Sequence, residues 1–336
     1  MSKRGNSTGR ATDRGRGPSY VVVVGGANID IKVAIKGGTI PATSNPGTAT
    51  VSIGGVGRNI AHNLARLDTP VRLISAVGRD PEGERLLVET AAAGVDVSAV
   101  RRGGKTGVYS AVLDRDGELV IGVSAMDVID ELTQRVLGRN RATIEAAAFL
   151  VADCNLHRSS LQYLQQCAKQ SGIPFLVEPV SAVKVERLNA ILRRGAAIHT
   201  VTPNVLQLEV LTGRDLKSME TTQKAARGLH DRGVLNVLVG LGPEGALLST
   251  SQGDEIKQHH IPAAQAKPQD VTGGGDAHVA GYVAGLVGGM RVLHAALLGQ
   301  AAAGLAVSAA ESVSRKMSMK NLTHSAAALK RRAKEL

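Results

Sequence analysis

Short apolar runs alternate with segments of helical spacing along most of the chain. Tyr20–Val24 is an unbroken, mostly β-branched run closed by Gly25-Gly26, as in a strand buried on both faces. Gly57–Leu67 follows with Ile60, Ala61, Leu64 and Ala65 at helical spacing, then a strand at Val71–Val77 and a helix at Glu84–Ala93. Phe149–Ala152, Phe175–Val177, His199–Thr202 and Val234–Val239 repeat the theme, separated by helix-compatible stretches. This rhythm predicts an α/β fold with a mainly parallel central sheet flanked by helices. Two stretches break it. Residues 106–123 alternate around Asp116-Gly117, a hairpin signal, and residues 32–53 are strand-like with turns at Gly37-Gly38 and Pro46-Gly47. Neither holds a crossover helix, so both are expected to leave the central layer and pair into a small β-sheet lid over a site at the strand C-termini.

Composition narrows the function classes. The chain has 336 residues, 43% hydrophobic and 21% charged, ordinary proportions for a soluble globular protein. No run approaches the roughly 18 apolar residues of a spanning helix, so no membrane partner is expected, and the Ala-rich Ala295–Ala310 reads as a core helix. Two cysteines, Cys154 and Cys167, are too few for a disulfide framework or a closed zinc site, which suits a reduced, cytoplasmic setting. The net charge of +11 invites a nucleic-acid reading, but aromatics are 2% with no Trp, leaving few stacking platforms. The charge also lies at the ends. Residues 1–20 hold five Lys or Arg against Asp13, and residues 315–336 hold seven against Glu335, so the body between is almost neutral. Nucleic acid is therefore not an expected partner. The chain divides into a basic tail at 1–19, a domain at 20–314 and a basic tail at 315–336, both tails expected to be solvated and disordered. The first, Arg- and Ser-bearing, weakly resembles an organellar transit peptide and lacks the apolar core of a secretory signal.

The segment Asp270-Val271-Thr272-Gly273-Gly274-Gly275-Asp276-Ala277 carries the most chemistry, because it runs directly into the small-residue helix through His278–Leu286. Glycines before a helix let backbone N–H groups converge on an anion, and the helix dipole adds to the attraction. Asp276 in the first turn also fits a helix cap, although capping needs no run of glycines. A carboxylate beside an anion cradle is what phosphoryl transfer to a hydroxyl requires. Near the other end, Asn28 and Asp30 leave the first strand where open α/β sheets bind ligands. Gly54-Gly55-Val56-Gly57-Arg58-Asn59 then opens a helix, and Asp30 with Asn59 suits adjacent sugar hydroxyls, though each alone also reads as a turn or cap. Asp153 and Asn155 stand at a strand end facing the same cleft. Two imitations are set aside. Gly104-Lys105-Thr106 lacks the upstream glycine of a phosphate loop, where Ala99 stands, and Gly55-Val56-Gly57 lacks the third glycine of a dinucleotide turn, where Ile60 stands. Cys154 reads as a buried thiol, and His259-His260 as a solvated pair before a strand.

Together these motifs resemble those of the ribokinase-like, or PfkB, carbohydrate kinases over roughly residues 20–312. Within that family four strings are most like pseudouridine kinases: Ser44-Asn45-Pro46-Gly47, the run from Gly54 to Ala61, Val151-Ala152-Asp153-Cys154-Asn155 and Pro179-Val180-Ser181-Ala182. The resemblance implies transfer of the γ-phosphoryl of ATP to the 5′-hydroxyl of pseudouridine, with Mg2+. Another nucleoside or a pentose is the alternative acceptor, and a catalytically silent scaffold is the rival from another class. Asp276 matches the family's catalytic base, and Gly273, Gly274 and Gly275 its anion hole. Asp30 and Asn59 match ribose-binding positions with Asn28 and Gly55 beside them, Thr106 and Tyr109 fall on the covering hairpin, and Asn155 is added as a substrate contact. Gly242 and Gly245 match a turn along the nucleotide, Asn204 the start of the Asn-x-x-Glu motif, and Asp270 with Thr272 positions where many relatives hold potassium. A small lid sheet of this kind often pairs with a second copy, which makes a homodimer an expectation. Three departures stand out. Gln207 replaces the motif's glutamate, removing a charge from a site for a hard dication; Glu209 is a water-mediated substitute, although helix geometry points it away from Gln207. Glu178 replaces the aspartate before Pro-Val-Ser-Ala and joins the Mg2+ candidates, and Gly274 replaces a commoner alanine.

Overall fold

The run Val21–Val24 forms strand β1, and its alternation divides the core. Val21 and Val23 pack into one apolar layer, Val22 and Val24 into the other, and all four are fully buried. The computed structural model describes residues 20–193, 195–253, 255–269 and 272–336. After β1 come strands β2 (Asn28–Ile35) and β3 (Gly47–Gly54), helix α1 (Val56–Arg66), and strands β4 (Val71–Ile74) and β5 (Ala76–Val77). Helix α2 (Pro81–Ala92) leads to β6 (Arg101–Arg102), β7 (Gly107–Leu113) and β8 (Leu119–Ala125). Next are α3 (Gln134–Arg139), α4 (Arg141–Glu145), β9 (Phe149–Asp153), α5 (Arg158–Ser171), β10 (Phe175–Glu178), α6 (Glu186–Asn189) and β11 (Ile198–Val201). Then follow α7 (Val205–Thr212), α8 (Met219–His230), β12 (Val234–Gly240), β13 (Ala246–Gln252) and β14 (Glu255–Ile261). The chain closes with α9 (Gly274–Val287), α10 (Val292–Val307), α11 (Met319–Lys330) and β15 (Lys334–Glu335).

The large sheet runs β15-β14-β13-β12-β11-β10-β9-β1-β4. From β12 to β4 all neighbours are parallel, while β13, β14 and β15 add on antiparallel, so the expected mainly parallel α/β sheet is what forms. Residues of α5, α7 and α8 share one apolar layer with Val22 and Val24, and residues of α1, α9, α10 and α11 share the other with Val21 and Val23. A second sheet, β3-β2-β7-β8, is built from the two stretches that interrupt the strand–helix rhythm. Its first strand begins at Asn28, earlier than the pattern suggested, so Asn28 and Asp30 are residues of this sheet. Register pairs Asn28 with Gly54 and Gly107, and Asp30 with Ser52 and Tyr109, which puts Tyr109 on the face of Asp30.

Three expectations are corrected. Residues 315–336 are not a disordered tail: Leu322 and Leu329 of α11 are buried against the α9–α10 layer, and β15 pairs with β14. The seven basic residues of the segment are all exposed, so charge on an outer helix face had read as a tail. The run Val71–Val77 is two strands, β4 on β1 and β5 on β6, broken at Ser75, whose hydroxyl donates to the Gly25 carbonyl at 2.6 Å. His259 and His260 lie within β14, opposite Leu248 and Leu247, because the β13–β14 hairpin pairs as far as Gln252 and Glu255. Residues 1–19 lie outside the described residues. Among the described residues no helix is long and apolar enough to cross a membrane.

Candidate functional site

Glycine at 55 is required by backbone contact. Its φ is +99°, and a Cβ there would come within 2.5 Å of the Ala27 Cα and of the Gly26 carbonyl oxygen. A Cβ on Gly57 would likewise lie 2.8 Å from the Gly25 Cα. The turn after β1 and the start of α1 therefore pack backbone on backbone, and a buried carboxylate fastens them. Asp153 Oδ2 accepts from the Gly26 N–H at 2.8 Å and the Gly57 N–H at 2.9 Å, while Oδ1 accepts from the Asn155 N–H at 2.9 Å. Burial raises the Asp153 pKa, and these bonds together with the nearby Lys184 oppose the rise. Asp153 thus acts as a brace.

The fastened α1 carries Arg58 and Asn59 into the protein. Arg58 is 2% exposed; it donates to the carbonyls of Ile53 at 2.7 Å and Gly54 at 3.3 Å, and to the Asn59 Oδ1. Burial lowers its pKa to about 10, opposed by Asp276 and Asp30. With its carbonyl occupied, the Asn59 amide turns its Nδ2 outward and donates to Asp276 Oδ2 at 2.8 Å. This bond spans the two glycine-rich motifs, 217 residues apart.

Asp276 lies in the first turn of α9, whose N-cap is Gly273 at φ +82°. A Cβ at 273 would meet the Ser312 carbonyl oxygen at 2.4 Å, so glycine is demanded there too. No side chain caps this helix, and the first N–H acting inside it is that of Ala277, donating to the Gly273 carbonyl at 2.9 Å. The N–H groups of Gly274, Gly275 and Asp276 have no acceptor within the helix, the condition under which a helix start can receive an anion. A Cβ on Gly274 would press on Val307 at 2.9 Å, so the alanine of relatives would not fit without a shift, whereas Gly275 faces open space. Burial raises the Asp276 pKa to about 7; the Asn59 bond opposes this and Asp153 adds to it.

The sugar-binding candidates meet on the small sheet. Asn28 Nδ2 donates to Asp30 Oδ1 at 2.7 Å, and a Cβ on Gly54 would collide with Asp30 Oδ2 at 2.0 Å. Thr106 does not join them. Its N–H donates to Asp80 Oδ2 at 2.8 Å, its hydroxyl donates to Asp80 Oδ1, and the hydroxyl oxygen accepts from the Gly78 N–H at 2.9 Å. It anchors the chain entering β7. Tyr109 packs its ring across Gly122 of β8. Lys32 of β2, absent from the sequence reading, reaches the glycine loop and donates to the Thr272 hydroxyl at 3.0 Å. That ammonium sits on one of the two positions expected to hold potassium; the other, Asp270, lies outside the described residues.

The nucleotide and metal candidates separate into two groups. Asn204 and Gln207 form a reciprocal capping box at the start of α7: Asn204 Oδ1 accepts from the Gln207 N–H at 2.8 Å, and Gln207 Oε1 accepts from the Asn204 N–H at 2.9 Å. Glutamine serves this box as well as glutamate, which accounts for the departure from Asn-x-x-Glu. Pro203 accepts from the Gly240 N–H at 2.9 Å, which sets Asn204 beside the Gly242–Gly245 turn, where both glycines have positive φ. Glu209 is turned away, accepting from the Leu216 N–H at 2.9 Å. Glu178 ends β10, accepts from the Val180 N–H at 2.7 Å, and is held well above the usual carboxyl range by burial and by repulsion from Asp276 and Asp153. A hard cation beside Glu178 and Asp276 would relieve that repulsion, so these two fit Mg2+ held largely by phosphates and water. Among the described residues no three His, Cys, Asp or Glu side chains form a metal cage. The site also holds three side chains that no spacing signalled. Arg58 stood inside a quoted string without a role, Lys184 stood in no motif, and Met126 is brought to Gly26 and Gly107 by the β8 connection alone.

Comparison with known proteins agrees with this geometry. The family described as pfkB family carbohydrate kinase matches residues 18–317. A pseudouridine kinase of Escherichia coli (strain K12) is 34% identical over 300 residues, covering 87% of this chain and 92% of the relative. A carbohydrate kinase structure from Agrobacterium tumefaciens superposes with TM-score 0.77 at 30% identity, covering 95% of this chain and 100% of that one. The structure of Arabidopsis thaliana ribokinase complexed with ribose and ATP gives TM-score 0.73 at 25% identity, covering 92% and 98%.

Proposed function

Because the chain belongs to the pfkB family of carbohydrate kinases, phosphotransferases with a hydroxyl acceptor, we propose that it phosphorylates the 5′-hydroxyl of pseudouridine at the expense of ATP. The bond from Asn59 to Asp276 carries the reading, since it joins a sugar-binding motif to a carboxylate at the uncapped start of α9. Asn28, Asp30 and Asn59 hold the ribose hydroxyls, with Gly55 and Tyr109 beside them and Asn155 toward the base. Asp276 Oδ takes the proton of the attacking hydroxyl as the new O–P bond forms and the bond from the γ-phosphorus to its bridging oxygen breaks, releasing ADP. The N–H groups of the Gly273–Gly275 segment and of Asp276 stabilise charge on the transferring phosphoryl oxygens. ATP lies along Gly242–Gly245 and Asn204. Mg2+, when bound through the phosphates near Glu178, neutralises phosphate charge. The small sheet serves as the lid, which Lys32 ties to the glycine loop, and the exposed Leu119, Ile121 and Val123 on its edge strand β8 suit pairing with a second copy.

Incubating the protein with ATP, Mg2+ and a panel of pseudouridine, uridine, adenosine, cytidine and ribose tests the proposal. Selective turnover of pseudouridine supports it. Equal or faster turnover of ribose would instead favour a pentose kinase, the second reading, which the Asn28–Asp30–Asn59 set serves equally well.

A further inference from the structure

Asn155, 4% exposed, is held at every acceptor it has. Its backbone carbonyl accepts from Arg187 Nη1 at 2.6 Å, and its side-chain Oδ1 accepts from Lys184 Nζ at 2.6 Å. Its N–H is bound by Asp153. What remains is the side-chain NH2, which must lie on the side away from Lys184. A Cβ on Gly26 would meet that nitrogen at 2.7 Å and the Met126 methyl at 3.3 Å. This nitrogen stands near the Asp153 carboxyl and carries two hydrogens, so one is left for a ligand. Met126 in turn lies against Gly107 and, through it, the Asn28 Cβ, so this nitrogen borders the sugar-binding residues.

Each carbonyl around it already accepts a hydrogen bond. The Gly26 carbonyl accepts from the Arg58 N–H at 3.0 Å, the Met126 carbonyl from the Ile129 N–H at 3.0 Å, and the Cys154 and Leu156 carbonyls from Arg187 at 3.2 and 3.4 Å. Glu178 Oε2 is bound by the Val180 N–H. Lys184, half-buried, adds further N–H donors of its own. Building on the nucleoside-kinase reading, we propose that Lys184 is a positioning residue for specificity. By gripping the Asn155 side-chain carbonyl it turns the amide's donors, together with its own, toward this end of the cleft, which favours bases presenting a carbonyl over those presenting an amino group. Without that grip the amide is oriented by the neighbouring Asp153 carboxyl alone, and the preference weakens. Met126 supplies an apolar wall that either kind of ring satisfies, so it adds affinity without discrimination.

The test compares kcat/KM for pseudouridine with its analogues carrying an amino group in place of the 2- or the 4-carbonyl. The wild type should favour pseudouridine over at least one analogue by about 10², the size expected when a buried donor faces a donor. Lys184→Met should shrink that ratio to under about 10, mainly through KM for pseudouridine, while Lys184→Arg restores most of it. Asn155→Asp, which places an acceptor at the same point, should move the preference toward an amino analogue. Thermal unfolding and ATP binding of each variant report folding separately. An unchanged ratio in Lys184→Met, with all substrates slowed alike, would overturn the inference and leave the kinase reading intact; so would failure of Asn155→Asp to shift the preference. Turnover of ribose with no turnover of any nucleoside would overturn both.

Discussion

Asp276 has its pKa raised to about 7 by burial, whereas an exposed aspartate titrates near 3.9. A base must be ionised to accept a proton, so kcat/KM should climb with pH through about 7 and level off above it; a profile flat from pH 5 to 8 would remove Asp276 from the role. The sign for stability is opposite. Between about 4 and about 7 the folded state binds the proton that the unfolded chain releases, so ionised Asp276 weighs against folding increasingly as pH rises. Asp276→Asn should therefore cut turnover by roughly 10² to 10⁴ while its Tm at pH 8 equals or exceeds that of the wild type. Gln207 has the converse character, a neutral residue in a capping box that a carboxylate would also satisfy. Gln207→Glu should keep α7 intact and lower the Mg2+ concentration giving half-maximal rate, measured by Mg2+ titration at saturating ATP.

At the scale of elements, the site depends on two backbone segments meeting without side chains between them. Asp153 holds the turn after β1 against the start of α1 through the Gly26 and Gly57 amides, and α1 in turn delivers Asn59 to Asp276. Asp153→Ala strands both amides in the interior, each at about 1–3 kcal/mol, and should lower stability in urea unfolding more than Asp153→Asn, which keeps an acceptor. Equal losses in the two variants would show that the brace is not what the carboxylate provides. Helix α9 is seated with similar rigor. Cβ atoms on Gly281 and Gly285 would press on α10 at 2.9 Å, so small residues bring the two helices close and leave the α9 start little freedom.

Across the whole molecule, the large sheet is completed by the C-terminal segment. Leu322 and Leu329 close the apolar layer that contains α9, and β15 adds to the edge of β14. Deleting residues 319–336 should expose that layer and lower Tm by several degrees, read by calorimetry, since each lost kcal/mol shifts a protein of this size by roughly 2–4 °C. An unchanged Tm would mean the segment rests on the fold without supporting it.

The alternation of buried strands and helical spacings determined the α/β class, because a parallel sheet covered on both faces leaves unbroken apolar runs that need no partner to be recognised. The glycine-rich strings likewise marked the two segments that meet at the candidate site, since only particular backbone shapes call for Gly55, Gly57 and Gly273. What local pattern could not convey was the allocation of polar groups. Thr106 looked like a sugar contact and is tied to Asp80; Glu209, which helix spacing already pointed away from Gln207, found its partner in Leu216; Arg58 and Lys184 carried no motif role, yet orient Asn59 and Asn155. Each outcome depends on which donor lies within about 3 Å of which acceptor. That separation is set by elements far apart in the chain, and folding alone brings them together.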